Sequence, residues 1–487
     1  METILEAVKE HASSDKADRI CLADGKGSLT YKELWEKINS LAALFIKRFE
    51  GREYALISCT QDREYLVCIL SCQLSGIIPV PVEKSASPAD IAMMAEDLLS
   101  PVFYIGPKAV EGMDFFDIAE VFTPHDPADK VFDLPDKDSV AEILFTTGTT
   151  GKSKGIIITH DNNRAVAENI VYGVEMKPDN AELIPMPLSH SHGLRTVYAN
   201  LLNGSTVVMV NGFSNLLLFY KLMDEYCVTA LDMSPSIFEV IFRLSGQKLS
   251  EYKDVIDYVE LGSAPLKEED KKNLRSVLPD SRLYNFYGST ESGRTCTYDF
   301  AHSDPGEYCI GKPSKNARFI FVDRDRNMTD PTREEPGFIA TSGAQNMKGY
   351  YNAEELTKSI SENGYIYTND LGYMDERGYV FCLGRADYII NRGGLKIDPE
   401  EIEDAAKKNP LVRDCACMRE EDPLQGQVPV LYVALNGKPD RFNEIEFNDF
   451  LKKYLDTKKL PERIKIVGVI PRAENGKILR AKLKEME

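Results

Sequence analysis

Long apolar runs are missing from this chain. No stretch approaches the roughly 20 residues needed to cross a bilayer, so no integral membrane contact is expected. The start, Met1-Glu2-Thr3-Ile4-Leu5-Glu6, is acidic and amphipathic. It lacks the basic n-region and apolar core of a signal peptide, and a cytoplasmic protein is the expectation. Cysteine patterns suited to metal or redox work are absent too. The ten cysteines form no C-x-x-C, and no Cys/His cluster has zinc spacing. Cys68 and Cys72 fall on an apolar helical pattern and Cys415 and Cys417 on a strand pattern, so both pairs read as reduced core residues. Positive charge is scarce: 58 Lys and Arg stand against 77 Asp and Glu, a net charge of −19. That argues against nucleic acid as a general partner. The deficit lies upstream of about Asp387, beyond which the charges nearly balance. An anionic ligand would therefore need positive groups supplied locally.

What is present suits a large globular protein. The chain has 487 residues with 43% hydrophobic content. Length alone suggests about three domains, a count that large α/β units lower. Residues 1 to about 140 alternate helical and strand patterns. Thr30 followed by Glu33 is a capping-box signature, with Leu34, Ile38, Leu41, Ala42 and Phe45 on the inner face of the helix it opens. Residues 54–59 and 77–82 read as strands and 65–75 as a helix. This alternation predicts an α/β fold with a mostly parallel sheet.

The most informative stretch is residues 141–160, AEILFTTGTTGKSKGIIITH. Two short apolar runs flank a loop of hydroxyls, glycines and lysines. Glycine lets a backbone approach closely, threonine donates hydrogen bonds and lysine supplies charge, so the loop suits a polyanion. It is not a Walker A loop. Counting back from Gly151-Lys152-Ser153, the first glycine should stand at 146, which is Thr146, and a strand follows where a helix should open. Taken alone, a Gly/Ser/Thr surface turn would explain it equally well.

The loop resembles the phosphate loop of the adenylate-forming superfamily, which includes acyl-CoA synthetases, peptide-synthetase adenylation domains and beetle luciferases. Its usual form is [ST]-[ST]-G-[ST]-T-G-x-P-K-G, and Ser153 stands here in place of proline. Further blocks resemble the same family in the same order. Pro187-Leu188-Ser189-His190-Ser191-His192-Gly193 is similar to the stretch lining the acyl pocket, with His190 at the gate position. Gly262-Ser263-Ala264-Pro265-Leu266 is similar to the loop against the adenine. Asn285-Phe286-Tyr287-Gly288-Ser289-Thr290-Glu291 matches N-x-Y-G-x-T-E. There an aromatic can stack on the base, glycine allows close approach, a hydroxyl donates to phosphate and the carboxylate can hold Mg²⁺.

Residues 337–352 match a block read as a small β subdomain without chemistry. Tyr367-Thr368-Asn369-Asp370-Leu371-Gly372 resembles Y-x-T-G-D-L, with asparagine, a residue tolerant of positive φ, in place of glycine. Residues 384–403 form the longest match. The end, Pro471-Arg472-Ala473-Glu474-Asn475-Gly476-Lys477, resembles P-x-T-x-x-G-K.

The resemblance implies a fold and a reaction. The fold is α/β: a large N-terminal domain of stacked α/β sheets plus a β subdomain (1–385), a hinge (386–388) and a small mobile α+β C-terminal domain (389–487). The reaction joins a small-molecule carboxylic acid to ATP with Mg²⁺, giving acyl-AMP and pyrophosphate. A thiol then expels AMP. By the same resemblance Lys477 bridges the carboxylate and the α-phosphate, with Thr290, Glu291 and His190 beside it. Thr146, Thr147, Gly148, Thr149, Thr150, Gly151 and Lys154 hold the pyrophosphate end. Asp370 takes the ribose hydroxyls, Arg385 the ribose or phosphate, and Asp387 sits at the hinge. The Gly393-Gly394 pair, where a strand passes the thiol tunnel, is closer to acyl-CoA synthetases than to luciferases, so coenzyme A is expected over a phosphopantetheine carrier protein.

Several readings stay open at this stage. They are an acyl-AMP ligase that loads a separate carrier, and a non-catalytic nucleotide-binding relative, consistent with Ser153, Asn369 and Asn391. Asp232, among apolar residues, reads as a cap or turn residue, and His192 as a loop tether. Gly193-Leu194-Arg195-Thr196 lacks the aspartate that amino-acid-activating relatives use, which disfavours an α-amino acid. Arg195 reads either as a partner for a second carboxylate or phenolate of the substrate, or as a surface residue.

Overall fold

The computed structural model describes residues 1–487 except 125–130, 148–152, 212–214, 387, 389, 393–394, 438–441, 473–477 and 485–487. Its backbone is a sheet of fourteen strands with three smaller sheets around it. The middle of the large sheet is parallel. Strands Arg282–Ser289, Tyr258–Leu261, Ala230–Met233, Ala181–Ile184, Thr206–Met209 and Ile20–Asp24 lie side by side in that order. Four of them are buried along their whole length, as expected for strands covered by helices on both faces. Three nevertheless carry a fully buried acid: Glu182, Asp232 and Glu260. Beyond Arg282–Ser289 the sheet turns antiparallel through Gly293–Asp299 and Cys309–Pro313 to Val380–Arg385 and Tyr365–Met374.

The N-terminal helices form as their caps dictate. Thr30 and Glu33 close a capping box on helix Tyr31–Arg48, and the five expected apolar residues are buried. Helix Arg63–Ser75 is buried almost throughout, Cys68 and Cys72 included, and all ten cysteines are free thiols. Next to it a four-stranded parallel sheet is formed by Tyr54–Ser58, Ile78–Val82, Val102–Gly106 and Asp114–Asp117. Phe45, Phe103 and Phe116 pack edge to face between the layers, each worth about 1.5–3 kcal/mol by burial.

Strands Val140–Thr147 and Ser153–Thr159 pair antiparallel and are joined by Gly349–Tyr350 into a three-stranded sheet. Thr159 caps the following helix, His160–Gly173, with Asn162 completing a capping box. The last part of the chain has its own five-stranded sheet and its own core, including Ile390, Ile402, Leu431 and Phe447. Helix Pro399–Lys407, with proline in its first turn, packs there. Lys267 and Asp404, 3.6 Å apart, link that helix to the large sheet's side. Among the described residues no helix is long and apolar enough to cross a membrane.

Candidate active site

The two strands that flank the expected phosphate loop are paired. Thr146 stands opposite Lys154 and Thr147 opposite Ser153 at the top of the two strands. Gly148, Thr149, Thr150 and Gly151 lie outside the described residues, as do Asp387, Gly393, Gly394 and Lys477, and nothing is said of the Thr146 and Thr147 side chains. Lys154, at the foot of the loop, places its Nζ 5.6 Å from the Tyr350 ring centroid. The Tyr350 phenol donates to Glu291 Oε1 at 2.9 Å. Burial, and then the Glu291 charge, raise the Tyr350 pKa, so the phenol keeps its proton and stays a donor. Glu291 is also tied through its backbone, its carbonyl accepting from the Met347 amide at 2.8 Å. A half-buried carboxylate with one oxygen engaged by Tyr350, whose ring also faces Lys154, suits Mg²⁺, a hard cation that takes oxygen donors. The block 337–352 is therefore not idle, as the sequence reading held: its Tyr350 orients the acidic residue of the site.

Glu291 and Thr290 sit on a tight turn between Arg282–Ser289 and Gly293–Asp299. Ser289 Oγ accepts from the Ser292 amide at 3.0 Å. Gly288 is required by close approach, because a Cβ there would fall 2.0 Å from the Gly293 carbonyl oxygen. Thr290 Oγ1 lies 3.0 Å from Ser191 Oγ. Arg195 grips the same turn from below, donating to the Thr290 carbonyl at 2.9 Å and the Ser289 carbonyl at 3.3 Å. It is only 4% exposed, which corrects the reading of Arg195 as a surface residue. Burial lowers its pKa to about 10, with Glu142 and Glu291 acting in the opposite sense. Glu142, on the strand that leads into the phosphate loop, is fully buried and accepts from Tyr198 (2.8 Å), Gln73 (3.0 Å) and Asn163 (3.0 Å).

The residues expected to hold the nucleoside lie on the antiparallel strands. Asp370 and Arg385 stand opposite each other in their ladder. The Tyr287 phenol donates to Asp370 Oδ2, and burial followed by the Asp370 charge raises its pKa. The Arg385 guanidinium lies 5.6 Å from the Tyr388 ring centroid. Asn369 lies inside strand Tyr365–Met374 and is not among the residues of positive φ. Its tolerance of that conformation is therefore not called on; its carbonyl instead accepts from the Ala386 amide at 2.7 Å. The loop Gly262-Ser263-Ala264-Pro265 leaves the end of strand Tyr258–Leu261. Asn285 holds that end, donating to the Leu261 carbonyl at 2.9 Å. Phe286 packs against Gly262, where a Cβ would fall 2.0 Å from the ring.

The histidine stretch is helical sooner than its prolines and glycine imply. His190 is the N-cap residue of helix Ser191–Asn203. Its Nε2 stands 3.3 Å from Glu83 Oε1, and the His190 contact holds the Glu83 carboxyl below its usual range. His192 is in the first turn, 2.7 Å from Asp232 Oδ1 through Nε2 and 2.8 Å from Ser263 Oγ through Nδ1. Asp232 is neither cap nor turn: it is mid-strand, fully buried and bonded to His192. Beside it Arg294 pairs with buried Glu260. The sequence reading passed over Tyr350, Glu142, Glu260 and Arg294. The available signal was a charged residue inside an apolar strand pattern, which marks Glu142, Asp232 and Glu260 alike.

The fold and these clusters define an AMP-binding enzyme. The chain belongs to that family: the AMP-binding enzyme profile matches residues 8–351, and the AMP-binding enzyme C-terminal domain matches residues 401–477. It is similar to a 2-succinylbenzoate–CoA ligase of Bacillus cereus (strain ZK / E33L), 26% identical over 479 residues, covering 96% of each chain. It is also similar to 4-coumarate–CoA ligase 2 of Nicotiana tabacum, 25% identical over 507 residues, covering 97% of this chain and 92% of the other. In three dimensions it resembles o-succinylbenzoate CoA synthetase (MenE) from Bacillus subtilis in complex with its acyl-adenylate intermediate. The TM-score is 0.87 at 24% identity, over 98% of this chain and 97% of that one.

Proposed function

We propose that this chain activates a carboxylic acid with ATP to an acyl-adenylate, releasing pyrophosphate, and passes the acyl group to the thiol of coenzyme A. The observation that supports the reading most is the Lys154–Tyr350–Glu291 cluster beside the strands flanking residues 148–152, with Tyr287 bonded to Asp370 opposite Arg385, in a chain of the AMP-binding enzyme family. The relatives' names, CoA ligases for aryl acids, support the acceptor.

The chemistry follows from charge. A carboxylate is a poor acyl donor because its leaving group is oxide or hydroxide, whereas AMP leaves readily. Joining a carboxylate to a triphosphate crowds negative charge that must be neutralised in place. Mg²⁺ supplies part of that neutralisation when bound. Glu291, fixed by Tyr350, is the residue we assign to hold it. Lys154 and the threonines Thr146, Thr147, Thr149 and Thr150 take the pyrophosphate end. Asp370 takes the ribose hydroxyls and Tyr287 and the 262–265 loop border the base. Lys477 bridges carboxylate and α-phosphate, then withdraws to let the thiol in.

We place the hinge at 386–388, between the N-terminal unit 1–385 and the C-terminal unit 389–487. Strand Val380–Arg385 closes one sheet and Ile390–Arg392 opens another, which supports that boundary. We place the enzyme in the cytoplasm, which fits its ten free thiols.

ATP–pyrophosphate exchange across a panel of acids tests the reading; no exchange with any acid refutes it. Lys477→Ala is expected to abolish exchange yet spare thiolysis of supplied acyl-AMP, and equal loss of both halves refutes the role given to Lys477. Replacing coenzyme A by a phosphopantetheinyl carrier protein tests the acceptor.

A further inference from the structure

We propose that the acid is short and carries a hydroxyl group, read by Ser263 through a Ser263–His192–Asp232 relay, with Phe286 barring aryl acids. This rests on the acid-activating function proposed above.

The three relay residues come from neighbouring strands of the parallel ladder. His192 follows Ala181–Ile184, Asp232 lies in Ala230–Met233 and Ser263 follows Tyr258–Leu261. Their loops are at the carboxyl ends of the strands, where open α/β sheets take ligands. The relay has one buried and one open end: Asp232 is fully buried, the His192 side chain is 6% exposed and Ser263 is exposed. Ser263 also has φ +69°, a conformation seldom taken by residues with a Cβ and retained where the surroundings impose it.

The His192 tautomer decides what the open end offers. Taking Asp232 as the carboxylate and His192 as the neutral ring, the proton between them sits on Nε2. In the neutral ring Nδ1 is then an acceptor, and the Ser263 hydroxyl hydrogen is engaged by it at 2.8 Å. The lone pairs of Ser263 Oγ are left to face the ligand. They accept, so the matching substrate group is a donor such as a hydroxyl.

Phe286 limits size. Its ring lies against Gly262, the His192 ring meets it edge on at 4.8 Å, and the Arg294 guanidinium lies 3.5 Å from its centroid. Buried Glu260 pins that arginine. The ring is held on three sides, by His192 in the first turn of helix Ser191–Asn203, by Gly262 and by Arg294. Phe286 is thus the side chain we assign to limit the size of an acid reaching Ser263.

The test is pyrophosphate exchange by the full chain with butyrate, 3-hydroxybutyrate, 3-aminobutyrate, hexanoate and 4-coumarate. We expect kcat/KM for 3-hydroxybutyrate to exceed that for butyrate at least about tenfold, since a site built to bond a hydroxyl rejects its absence. Ser263→Ala and Asp232→Asn should each bring that ratio to within about twofold of one. Phe286→Gly should admit 4-coumarate. Faster exchange with hexanoate or 4-coumarate than with 3-hydroxybutyrate in the unaltered protein overturns the proposal. So does a preference for 3-aminobutyrate, or a ratio that survives Ser263→Ala. Absence of exchange with every acid, in the unaltered protein and in Phe286→Gly, instead overturns the parent reading.

Discussion

Replacing Arg195 by methionine removes a buried cation while keeping most of its volume. The structure gives the size of the effect. The 2.9 Å bond to the Thr290 carbonyl is charge-assisted and worth about 1.5–3 kcal/mol, and the 3.3 Å bond to the Ser289 carbonyl less. Two carbonyls of a half-buried turn lose their donor, and buried Glu142 loses the Arg195 charge that partly offsets its burial. A stability loss of about 3 kcal/mol follows. The functional loss should be larger in kind, because the same turn presents Thr290 and Glu291. A displacement of ~1 Å in a positioned reacting group costs on the order of 100-fold. The expected result in pyrophosphate exchange is a kcat reduced about 100-fold with the acid KM nearly unchanged. Arg195→Lys should fall between, since a single ammonium cannot span two carbonyls as the guanidinium fork does. If Arg195→Met is as stable as the parent and its kcat is within about threefold, the positioning role is wrong. If the whole loss falls on the acid KM, Arg195 touches the substrate instead.

Other expectations concern neighbouring parts. Tyr350→Phe deletes one hydrogen bond to Glu291, worth about 1 kcal/mol, and should raise the Mg²⁺ concentration at half-maximal exchange about fivefold, read by a magnesium titration. Gly288→Ala sets a methyl against the Gly293 carbonyl oxygen. It should lower stability by about 1–3 kcal/mol in denaturant unfolding. At the start of helix Pro399–Lys407, burial and then neighbouring carboxylates push Asp398 up to about 6 and Glu400 up to about 7, while Arg480 pulls both down. Glu401, Glu403 and Asp404 are the like charges around them. These are raised acid pKa values, so the unfolded chain ionises first, from about pH 4, and the folded chain only near pH 6–7. Their contribution to stability therefore falls as pH rises across that window. Glu400→Gln should gain stability relative to the parent between pH 5 and 7, measured by denaturation midpoints, and an unchanged difference refutes the assignment.

The elements most legible in the sequence were those with local causes. Thr30 and Glu33 announce a helix because cap and box lie within three residues, and the hairpin around the phosphate loop follows from two apolar runs. The site blocks were legible as motifs in order, but their internal wiring was not. Tyr350 lies 59 positions from Glu291 in the chain, and the bond between them depends on register between two sheets. Asp232 looked like a turn residue because an acid in an apolar strand is costly alone. Its partner His192 comes from another strand's loop, which no pattern within either segment discloses. The surface reading of Arg195 failed for the same reason: its burial is decided by the turn above it.

The strand Gly349–Tyr350 is two residues long, yet it is zipped to the strand descending from the phosphate loop, with Tyr350 opposite Ile156. The loop we assign to the pyrophosphate and the carboxylate we assign to Mg²⁺ are thereby mounted on one strip. A slip of that strip would disturb both at once. Lesions there should produce enzymes in which nucleotide affinity and turnover decline in step, a signature that sets them apart from damage at either end alone.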